Sequence, residues 1–460
     1  MNAKSNTILL SNADFLVRGV SKIEKFTSVA IEGNRIADIG DAEDLKKKLS
    51  FDETIDCRGQ IILPGLINSH THCNETIMRG TDHNLRIREW AAQVFLPIGA
   101  AMHEAGDQVW YDVAQLSAME AAASGTTCLI ENSINFGKYH AIAMATALRD
   151  FGIRGAVARG AEDSSQLSEG QVNPTDHEIK TMQEFLETWQ KEEDDLVAAW
   201  VGPTGIDGKS WGGCSAALLG ELKKLSNSYG TRYHIHLAGT RTEVENASRM
   251  YGLPGSVAIA NDVNILDENT SIVHCIWISK EEERIIGDTG AQICHCPSSN
   301  ELSGAGVIPL ISLMKRGINC AIGTDGTPQN GSLDMFREMR QAVLLHRVEN
   351  QNPSIINHLD AFRMATVNGT KVLGTDKLGI IEPGYLADLV TIRSENNIFL
   401  MPIDDPLETL IFACSGGRDV AMTIIDGKVI YKDGEFKTID AEKIISNVKE
   451  KCRWILEKSA

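Results

Sequence analysis

Several features that mark other protein classes are missing from this sequence. It has no run of about 18 or more apolar residues, so we expect no membrane-spanning helix. The N-terminal residues carry no apolar stretch of signal-peptide length, which favours a cytoplasmic location. Neither a glycine-rich phosphate loop nor a nucleophile elbow is evident. The ten cysteines lack zinc-finger spacing, which indicates reduced and mostly buried thiols.

An excess of positive charge is also missing. The formal net charge is -18, which argues against binding to nucleic acid or to an anionic membrane surface. The proportions of hydrophobic and charged residues, 43% and 23%, are typical of globular proteins. A chain of 460 residues has room for one large domain and a smaller one.

The central part of the chain alternates short apolar runs with helical patterns. Eight such βα units over roughly 300 residues predict an α/β fold with a (β/α)₈ TIM-like barrel. The eight predicted strands span residues 61–67, 124–131, 154–159, 196–201, 233–237, 270–275, 291–295 and 319–325.

Both ends of the chain are rich in predicted β-strands that cannot close a core alone. We therefore expect the two ends to form one small β-sandwich beside the barrel. A helical pattern of apolar residues follows at the C-terminus. The predicted divisions are 1–62 (first part of the sandwich), 63–380 (barrel), 381–436 (second part of the sandwich) and 437–460 (C-terminal helix).

Polar side chains occur at the predicted ends of four barrel strands, where TIM barrels carry their active sites. His70 and His72 lie two residues apart, so a strand points both imidazoles to one side. His236, His274 and Asp325 end the fifth, sixth and eighth strands. Imidazoles and a carboxylate around one point suit Zn²⁺, or Fe, Co or Mn, with a position left open for water. Asp325 can also accept a proton from that water, and His274 can stabilise developing charge or a leaving group.

Some alternatives stay open within this set. His234 could replace His236 as a ligand, whereas the Cys294-His295-Cys296 stretch lacks a second matching pair and indicates no zinc knuckle. The predicted fourth strand ends without a lysine, which favours one metal ion over a lysine-bridged pair. Candidate substrate contacts near the strand ends are Trp90, Trp211, Trp277, Glu131, Asn300, Gln329 and Asn330.

Taken together, these motifs resemble the metal-dependent amidohydrolase superfamily, in the branch of adenosylhomocysteine and guanine deaminases, triazine chlorohydrolases and phenylurea hydrolases. The resemblance implies a barrel with a β-sandwich and a single metal on His70, His72, His236 and Asp325, with His274 beside the water. The matching stretches are Leu63-Pro-Gly-Leu-Ile-Asn-Ser-His-Thr-His72, Met78-Arg-Gly80, His236-Leu-Ala238, Val273-His-Cys275, His295-Cys-Pro-Ser-Ser-Asn300, Gly323-Thr-Asp-Gly326, Met364-Ala-Thr-Val-Asn-Gly369 and Pro383-Gly-Tyr-Leu-Ala-Asp-Leu389.

One position departs from the pattern of the deaminases in this branch. They place a glutamate three residues after the histidine of the fifth strand, where it carries a proton between water and a ring nitrogen. This chain has Gly239 there. Another acid, such as Glu131, could supply the proton, or the substrate could need no ring protonation.

We therefore expect a hydrolase that cleaves a non-peptide C–N or related bond in a small neutral molecule, leaning towards ureas, amides or carbamates. The alternative is a deaminase or chlorohydrolase of an aromatic heterocycle such as a purine, pterin or triazine. A non-catalytic barrel scaffold is an alternative of another class. We also expect a homo-oligomer, either a dimer or a tetramer.

Overall fold

The structure is a computed structural model that describes residues 6–81, 84–133, 140–164, 173–192, 196–206 and 212–459. Eight parallel strands follow one another around a barrel. The two ends of this sheet meet where the backbone N–H of Asp325 donates to the carbonyl of His70 at 3.0 Å. The strands are β6 (Leu66–Thr71), β7 (Thr126–Ser133), β8 (Arg154–Ala161), β9 (Val197–Pro203), β10 (Tyr233–Leu237), β11 (Thr270–His274), β12 (Gln292–His295) and β13 (Cys320–Ile322).

Helices follow the barrel strands and bury apolar side chains against their outer faces. A 3₁₀ turn (Cys73–Met78) follows β6, and a π-helical turn (Ala91–Phe95) joins the second and third helices. The α-helices are α1 (Ala42–Lys48), α2 (Ile87–Trp90), α3 (Leu96–Ala105), α4 (Asp107–Ala123), α5 (His140–Phe151), α6 (Thr175–Gln190), α7 (Ala216–Ser228), α8 (Arg241–Tyr251), α9 (Ser256–Asp262), α10 (Lys280–Thr289), α11 (Pro297–Leu302), α12 (Leu310–Lys315), α13 (Thr327–Asn330), α14 (Met335–Glu349), α15 (His358–Met364), α16 (Val367–Leu373), α17 (Pro406–Ala413), α18 (Gly416–Asp419) and α19 (Ala441–Ser459).

Strands from both chain ends form a second, nine-stranded mixed sheet beside the barrel. The predicted fold class, a barrel with a small β domain built from both ends, is confirmed, while the predicted residue boundaries of the domains stay a prediction. Among the described residues, no helix combines the length and apolar character needed to cross a bilayer. The strands of this sheet are β1 (Thr7–Gly19), β2 (Lys22–Glu32), β3 (Arg35–Gly40), β4 (Glu53–Asp56), β5 (Gln60–Pro64), β14 (Leu389–Arg393), β15 (Val420–Ile425), β16 (Lys428–Lys432) and β17 (Glu435–Phe436).

The apolar run 61–67, predicted as a single strand, is divided between the two sheets. β5 ends at Pro64 and pairs with β1 and β14, whereas β6 begins at Leu66 as the first barrel strand. Gly65 lies between them, and a Cβ there would come within 2.1 Å of Thr127 Oγ1. The chain therefore passes from one sheet to the other at a glycine because no side chain fits against β7 at this point.

Candidate active site

The five candidate metal and catalytic residues meet at the carboxyl ends of the barrel strands. His70 is the penultimate residue of β6, His236 lies in β10 and His274 ends β11. His72 immediately follows β6, and Asp325 follows β13 by three residues. All are buried except His274, whose side chain is partly exposed. The structure thus brings together side chains from the first and the last strand of the barrel, which lie far apart in the chain.

The backbone at these strand ends is strained. Ala238, His274, Cys275 and Asp325 have φ values of 54°, 73°, 49° and 63°, a region that residues with a Cβ seldom occupy. Such conformations persist where the surrounding structure holds them, and they cluster at functional sites. His274 and Asp325, two of the residues that meet at the centre, both adopt this conformation.

Hydrogen bonds fix which ring nitrogen of each imidazole faces the centre. His72 Nδ1 donates to the carbonyl of Asn132 at 2.7 Å, and His236 Nδ1 donates to the carbonyl of Thr204 at 3.0 Å. A carbonyl can only accept, so the Nε2 atoms of both rings are unprotonated in the neutral form. This is the arrangement usual for metal-binding histidines.

His70 reaches the same tautomer through a second histidine. Its Nδ1 lies 2.9 Å from His234 Nε2, and His234 Nδ1 lies 2.5 Å from Ser271 Oγ. Donation along this chain towards Ser271 leaves the Nε2 of His70 unprotonated and facing the centre. His234 therefore lies behind His70 and orients it, and His236 is the histidine of β10 that reaches the centre.

The spacing of the inward-facing atoms suits a bound cation. His70 Nε2 lies 3.2 Å from His236 Nε2 and 3.5 Å from Asp325 Oδ1, and His72 Nε2 lies 3.3 Å from the same oxygen. Ligands at about 2.0–2.1 Å from a tetrahedral ion are about 3.3–3.4 Å apart. Two unprotonated Nε2 atoms would repel each other at such a distance unless a positive charge lay between them. The residues present therefore fit a divalent metal ion.

Asp325 is held as a carboxylate by its neighbours. Burial raises the pKa of this group, but the imidazoles of His70, His72 and His274 around it lower the pKa well below its usual value. Ser299 Oγ donates to Oδ2 at 2.6 Å, and the Gly326 N–H donates to Oδ1 at 2.8 Å. The carboxylate is thus oriented and ionised, as both a metal ligand and a proton acceptor require.

A cavity of about 820 Å³, including its open mouth, lies over this centre. That volume is within the range of small-molecule sites. The side chains around it combine an aromatic and aliphatic wall with convergent polar groups. The lining residues are His72, Glu75, Ile87, Trp90, Ala91, Phe95, Thr204, His236, Gly239, Thr240, Glu243, His274, Ser299, Asn300, Ser303, Ala305, Asp325 and Gln329.

Three of the predicted substrate contacts, Trp90, Asn300 and Gln329, line this cavity. Asn300 also accepts the Nδ1–H of His274 at 3.0 Å, so it orients that ring. Two predicted contacts, Glu131 and Asn330, do not line it.

Glu131 and Asn330 have structural partners instead. Glu131 Oε2 accepts the Cys73 N–H at 2.6 Å, and Asn330 Nδ2 donates to the Thr324 carbonyl at 2.7 Å. Glu131 lies in β7 and Asn330 ends α13, and each side chain binds a backbone group of a neighbouring turn or loop, a contact that the sequence pattern does not reveal.

The other predicted positions are less central. Trp277 is absent from the cavity lining and donates its indole N–H to the Ala305 carbonyl at 2.8 Å. Trp211 lies outside the described residues. His295 ends β12 and lies 3.1 Å from His346, ring nitrogen to ring nitrogen, so it supports a helix and not the centre.

Sequence reasoning missed Glu75, a cavity residue only three positions after His72. Its side chain is buried, and burial together with the charges of Asp325 and Glu131 raises its pKa well above the usual value. The stretch 73–78 carries no strand or helix pattern, so nothing in the sequence showed that a 3₁₀ turn would aim Glu75 at the centre.

Glu243 is a second missed carboxylate in the lining. Its Oε1 accepts the Ala238 N–H at 3.1 Å, and its Oε2 is 3.5 Å from the point that a Cβ on Gly239 would occupy. The same Cβ would lie 3.2 Å from His274 Cδ2. Gly239 therefore leaves open the space beside His274 into which the usual glutamate would extend.

Comparison with known proteins agrees with this geometry. The sequence profile of the Amidohydrolase family matches residues 61–430. The chain is 32% identical over 424 residues to the 5-methylthioadenosine/S-adenosylhomocysteine deaminase of Pyrococcus abyssi, covering 92% of this chain and 93% of that one.

Solved structures show the same architecture. An adenosine deaminase from Xanthomonas campestris with bound zinc superposes with a TM-score of 0.89 at 25% identity, covering 98% of both chains. The zinc complex of atrazine chlorohydrolase from Arthrobacter aurescens TC1 superposes with a TM-score of 0.87 at 23% identity, covering 97% of this chain and 100% of that one.

These relatives correct one expectation. The absence of a glutamate at Gly239 had favoured ureas, amides or carbamates, but the relatives are deaminases of adenosine-type compounds, so that preference has no support. They agree better with the alternative expectation, an enzyme acting on a nitrogen heterocycle, and they exclude the scaffold alternative. The chain belongs to the Amidohydrolase family and is a metal-dependent hydrolase of carbon–nitrogen bonds other than peptide bonds.

Proposed function

We propose that this protein removes an amino group by hydrolysis from an aromatic nitrogen heterocycle, a small-molecule substrate, using one zinc ion held by His70, His72, His236 and Asp325. The observation that carries the proposal is the convergence of Nε2 atoms on an ionised Asp325, 3.3–3.5 Å away, at the base of a cavity with an aromatic wall. The similarity to a deaminase over 92% of the chain supports the choice of reaction.

A zinc ion at this centre would supply a water of lowered pKa and a Lewis acid. Asp325 is positioned to accept a proton from the attacking water, since Ser299 and Gly326 hold its two oxygens in place. His274 keeps its proton on Nδ1 for Asn300, so its Nε2, 3.8 Å from Asp325 Oδ2, is unprotonated and can accept a hydrogen bond from the same water.

The aromatic part of the cavity lining is suited to binding a flat substrate. Trp90 and Phe95 pack against each other with ring centroids 5.5 Å apart, and both line the cavity. Aromatic side chains stack on planar rings and exclude water from the space between them. Asn300 and Gln329 lie in the same lining and provide polar contacts to ring nitrogens and exocyclic groups.

Release of ammonia from a panel of amino-substituted purines, pyrimidines, pterins and triazines tests the proposal. Aryl ureas, carbamates and a chlorotriazine serve as comparison substrates, with amine or chloride release measured in parallel. We expect ammonia release to be fastest with at least one aminoheterocycle, to stop after chelation and to return when Zn²⁺ is added.

Asp325→Asn is the matched catalytic control because it keeps the size of the side chain and removes the charge. We expect it to lower kcat by roughly 10²–10⁴-fold, the range for loss of general acid–base catalysis. Turnover of ureas with none of the aminoheterocycles, or full activity after thorough chelation, would contradict the proposal.

A further inference from the structure

The cavity contains a buried carboxylate oxygen, on Glu75, that has no hydrogen-bond partner among the described residues. Glu75 Oε2 is buried and has no hydrogen-bond partner among the described residues, and no Lys or Arg of the described chain forms an ion pair with Glu75. Gln329 Oε1 and Trp90 Nε1, also in the lining, likewise lack partners within the described residues. Buried polar groups are nearly always satisfied, so this cluster indicates a ligand that completes its hydrogen bonds.

Gly326 makes the position of Glu75 possible. A Cβ at this residue would lie 1.8 Å from Glu75 Oε2 and 2.6 Å from Gln329 Oε1. The backbone of Gly326 has φ -70° and ψ 153°, a conformation open to every residue. The glycine is therefore needed for space and not for its backbone freedom, and the space is filled by the carboxyl of Glu75.

Gln329 can accompany Glu75 in both of its protonation states. An amide side chain can present its oxygen to a protonated carboxyl group, and after rotation it can present its NH₂ to a carboxylate. A residue that gives up and regains a proton during each turnover needs such a neighbour.

The other two acidic candidates are less suitable as proton donors. Glu131 does not line the cavity, and it is tied to the Cys73 N–H. Glu243 lies in the first turn of α8, with its Oε1 bound to the Ala238 N–H at 3.1 Å.

We infer that Glu75 is the catalytic acid. It follows the first barrel strand, across the barrel from Gly239, and it carries out the proton transfer to the ring nitrogen that a glutamate at position 239 performs in the related deaminases. The inference rests on the proposed function. It also specifies the substrate: a heterocycle with a ring nitrogen next to the carbon that carries the amino group, bound with that nitrogen towards Glu75 and its ring against Trp90.

The proton transfers balance over one turnover. Water forms the new C–O bond and gives one proton to Asp325, while the electron pair of the ring C=N bond moves to nitrogen, which takes the proton of Glu75. The hydroxyl of the resulting adduct then returns its proton to Glu75 as C=O forms. The C–N bond breaks, and the leaving amine takes the proton held by Asp325 and departs as ammonia. The product keeps the added hydrogen on its ring nitrogen, and both carboxyl groups return to their starting states.

Glu75→Gln tests this role, with Glu301→Gln as the control. Glu301 is an exposed residue outside the lining whose side chain contacts Gln341, so this variant makes the same chemical change without altering the cavity. We expect Glu75→Gln to lower kcat on the best aminoheterocycle by roughly 10²–10⁴-fold with little change in KM, and Glu301→Gln to match the wild type.

A second measurement follows the proton without turnover. The ultraviolet absorption of 2-aminopyridine moves to longer wavelength when its ring nitrogen is protonated, so it reports proton transfer on binding. We expect this shift when 2-aminopyridine binds full-length wild-type protein after chelation of its metal, and no shift with Glu75→Gln. Gly326→Ala, which displaces the carboxyl while keeping Glu75, should also lose the shift, and thermal melting checks that both variants are folded.

The outcomes separate this inference from the proposed function. Ammonia release by the wild type together with unchanged kcat in Glu75→Gln, or an equal spectral shift in the two proteins, would overturn the role of Glu75 and leave deamination in place. Failure of the wild type to release ammonia from any aminoheterocycle would remove both.

Discussion

At the scale of single residues, the barrel mouth holds several carboxyl groups whose surroundings push them to opposite protonation states. Asp325 is kept ionised by the imidazoles around it. Burial, together with the charges of Asp325 and Glu131, raises the pKa of Glu75, which lines the same cavity, well above its usual value. Groups with pKa values moved apart in one region can divide acid and base roles between them, which is how one site runs both chemistries near neutral pH.

The raised pKa of Glu131 makes the free energy of unfolding depend on pH. Its pKa rises from 4.5 in the unfolded chain to about 8 in the folded protein, so the folded state retains a proton that the unfolded state loses between these values. The free energy of unfolding therefore falls as pH rises through this window, by at most about 1.4 kcal/mol for each pH unit. Glu131→Gln removes this penalty.

Urea unfolding at about pH 5 and about pH 8 measures the effect. Between about pH 5 and about pH 8, the wild type should lose a few kcal/mol of unfolding free energy that Glu131→Gln does not lose. The variant should therefore become more stable relative to the wild type as the pH rises. Glu53→Gln, at an exposed site, should show a constant difference. An equally constant difference for Glu131→Gln would contradict the prediction.

A glutamate placed at position 239 should restore activity to a variant that lacks the Glu75 carboxyl group. In the Glu75→Gln background, Gly239→Glu returns an acid to the cavity from the β10 side, and we expect it to raise kcat on the aminoheterocycle by roughly tenfold or more. The new Cβ would lie 3.2 Å from His274 Cδ2, so the ring must shift by a few tenths of an ångström, which limits the recovery.

Gly239→Gln in the same background is the matched control because it adds nearly the same volume without an acid. Steady-state kinetics of the two double variants decides the result. Equal recovery by both would show that filling the space, and not supplying a proton, restores the reaction.

At the scale of elements, sequence periodicity was most successful where one face of a helix is buried. The C-terminal helix, predicted for 437–460, is observed as α19 (Ala441–Ser459), with Ile444, Val448 and Ile455 buried against α3 and α4. Sequence periodicity was least successful for the run 61–67. A continuous apolar run does not show at which residue the chain passes from one sheet to another.

Two adjacent residues of α19 give a prediction. Ile455 is fully buried, whereas Leu456 is 42% exposed. We expect Ile455→Ala to lower the free energy of unfolding by about 2–5 kcal/mol, since it leaves a cavity between α19 and the barrel helices, and Leu456→Ala to lower it far less. Denaturant unfolding of the two variants measures the difference. Similar losses at both positions would mean that α19 is not anchored through its apolar face.

At the scale of the whole molecule, a buried ion pair joins the barrel to the mixed sheet. Arg154 at the start of β8 contacts Asp388 through two hydrogen bonds of 2.8 and 3.1 Å, and it also contacts Asp426 at 3.0 Å. Arg154 and Asp388 are buried. The pair thus fixes the mixed sheet against the end of the barrel opposite the active site.

Arg154→Ala leaves Asp388 buried without its partner, and we expect a loss of about 3–5 kcal/mol in the free energy of unfolding. Arg58→Ala removes an arginine of the exposed pair with Asp56 and should cost less than about 1 kcal/mol. Equal effects of the two substitutions, measured by denaturant unfolding, would contradict the structural role of Arg154.

The predicted dimer or tetramer and the cytoplasmic location stay predictions.

The sequence by itself determined the fold class and the candidate metal-site residues, because strand and helix periodicities repeat eight times and the polar candidates follow four of the apolar runs. It could not reveal Glu75, the support of His70 by His234, or the exclusion of Glu131 from the cavity. Those depend on which side chains meet across the barrel, between parts of the chain that are distant in sequence, and on the room that a single glycine leaves beside Asp325. Only the tertiary structure decides such contacts, since local patterns carry the direction of a side chain along its own strand but not what lies opposite it.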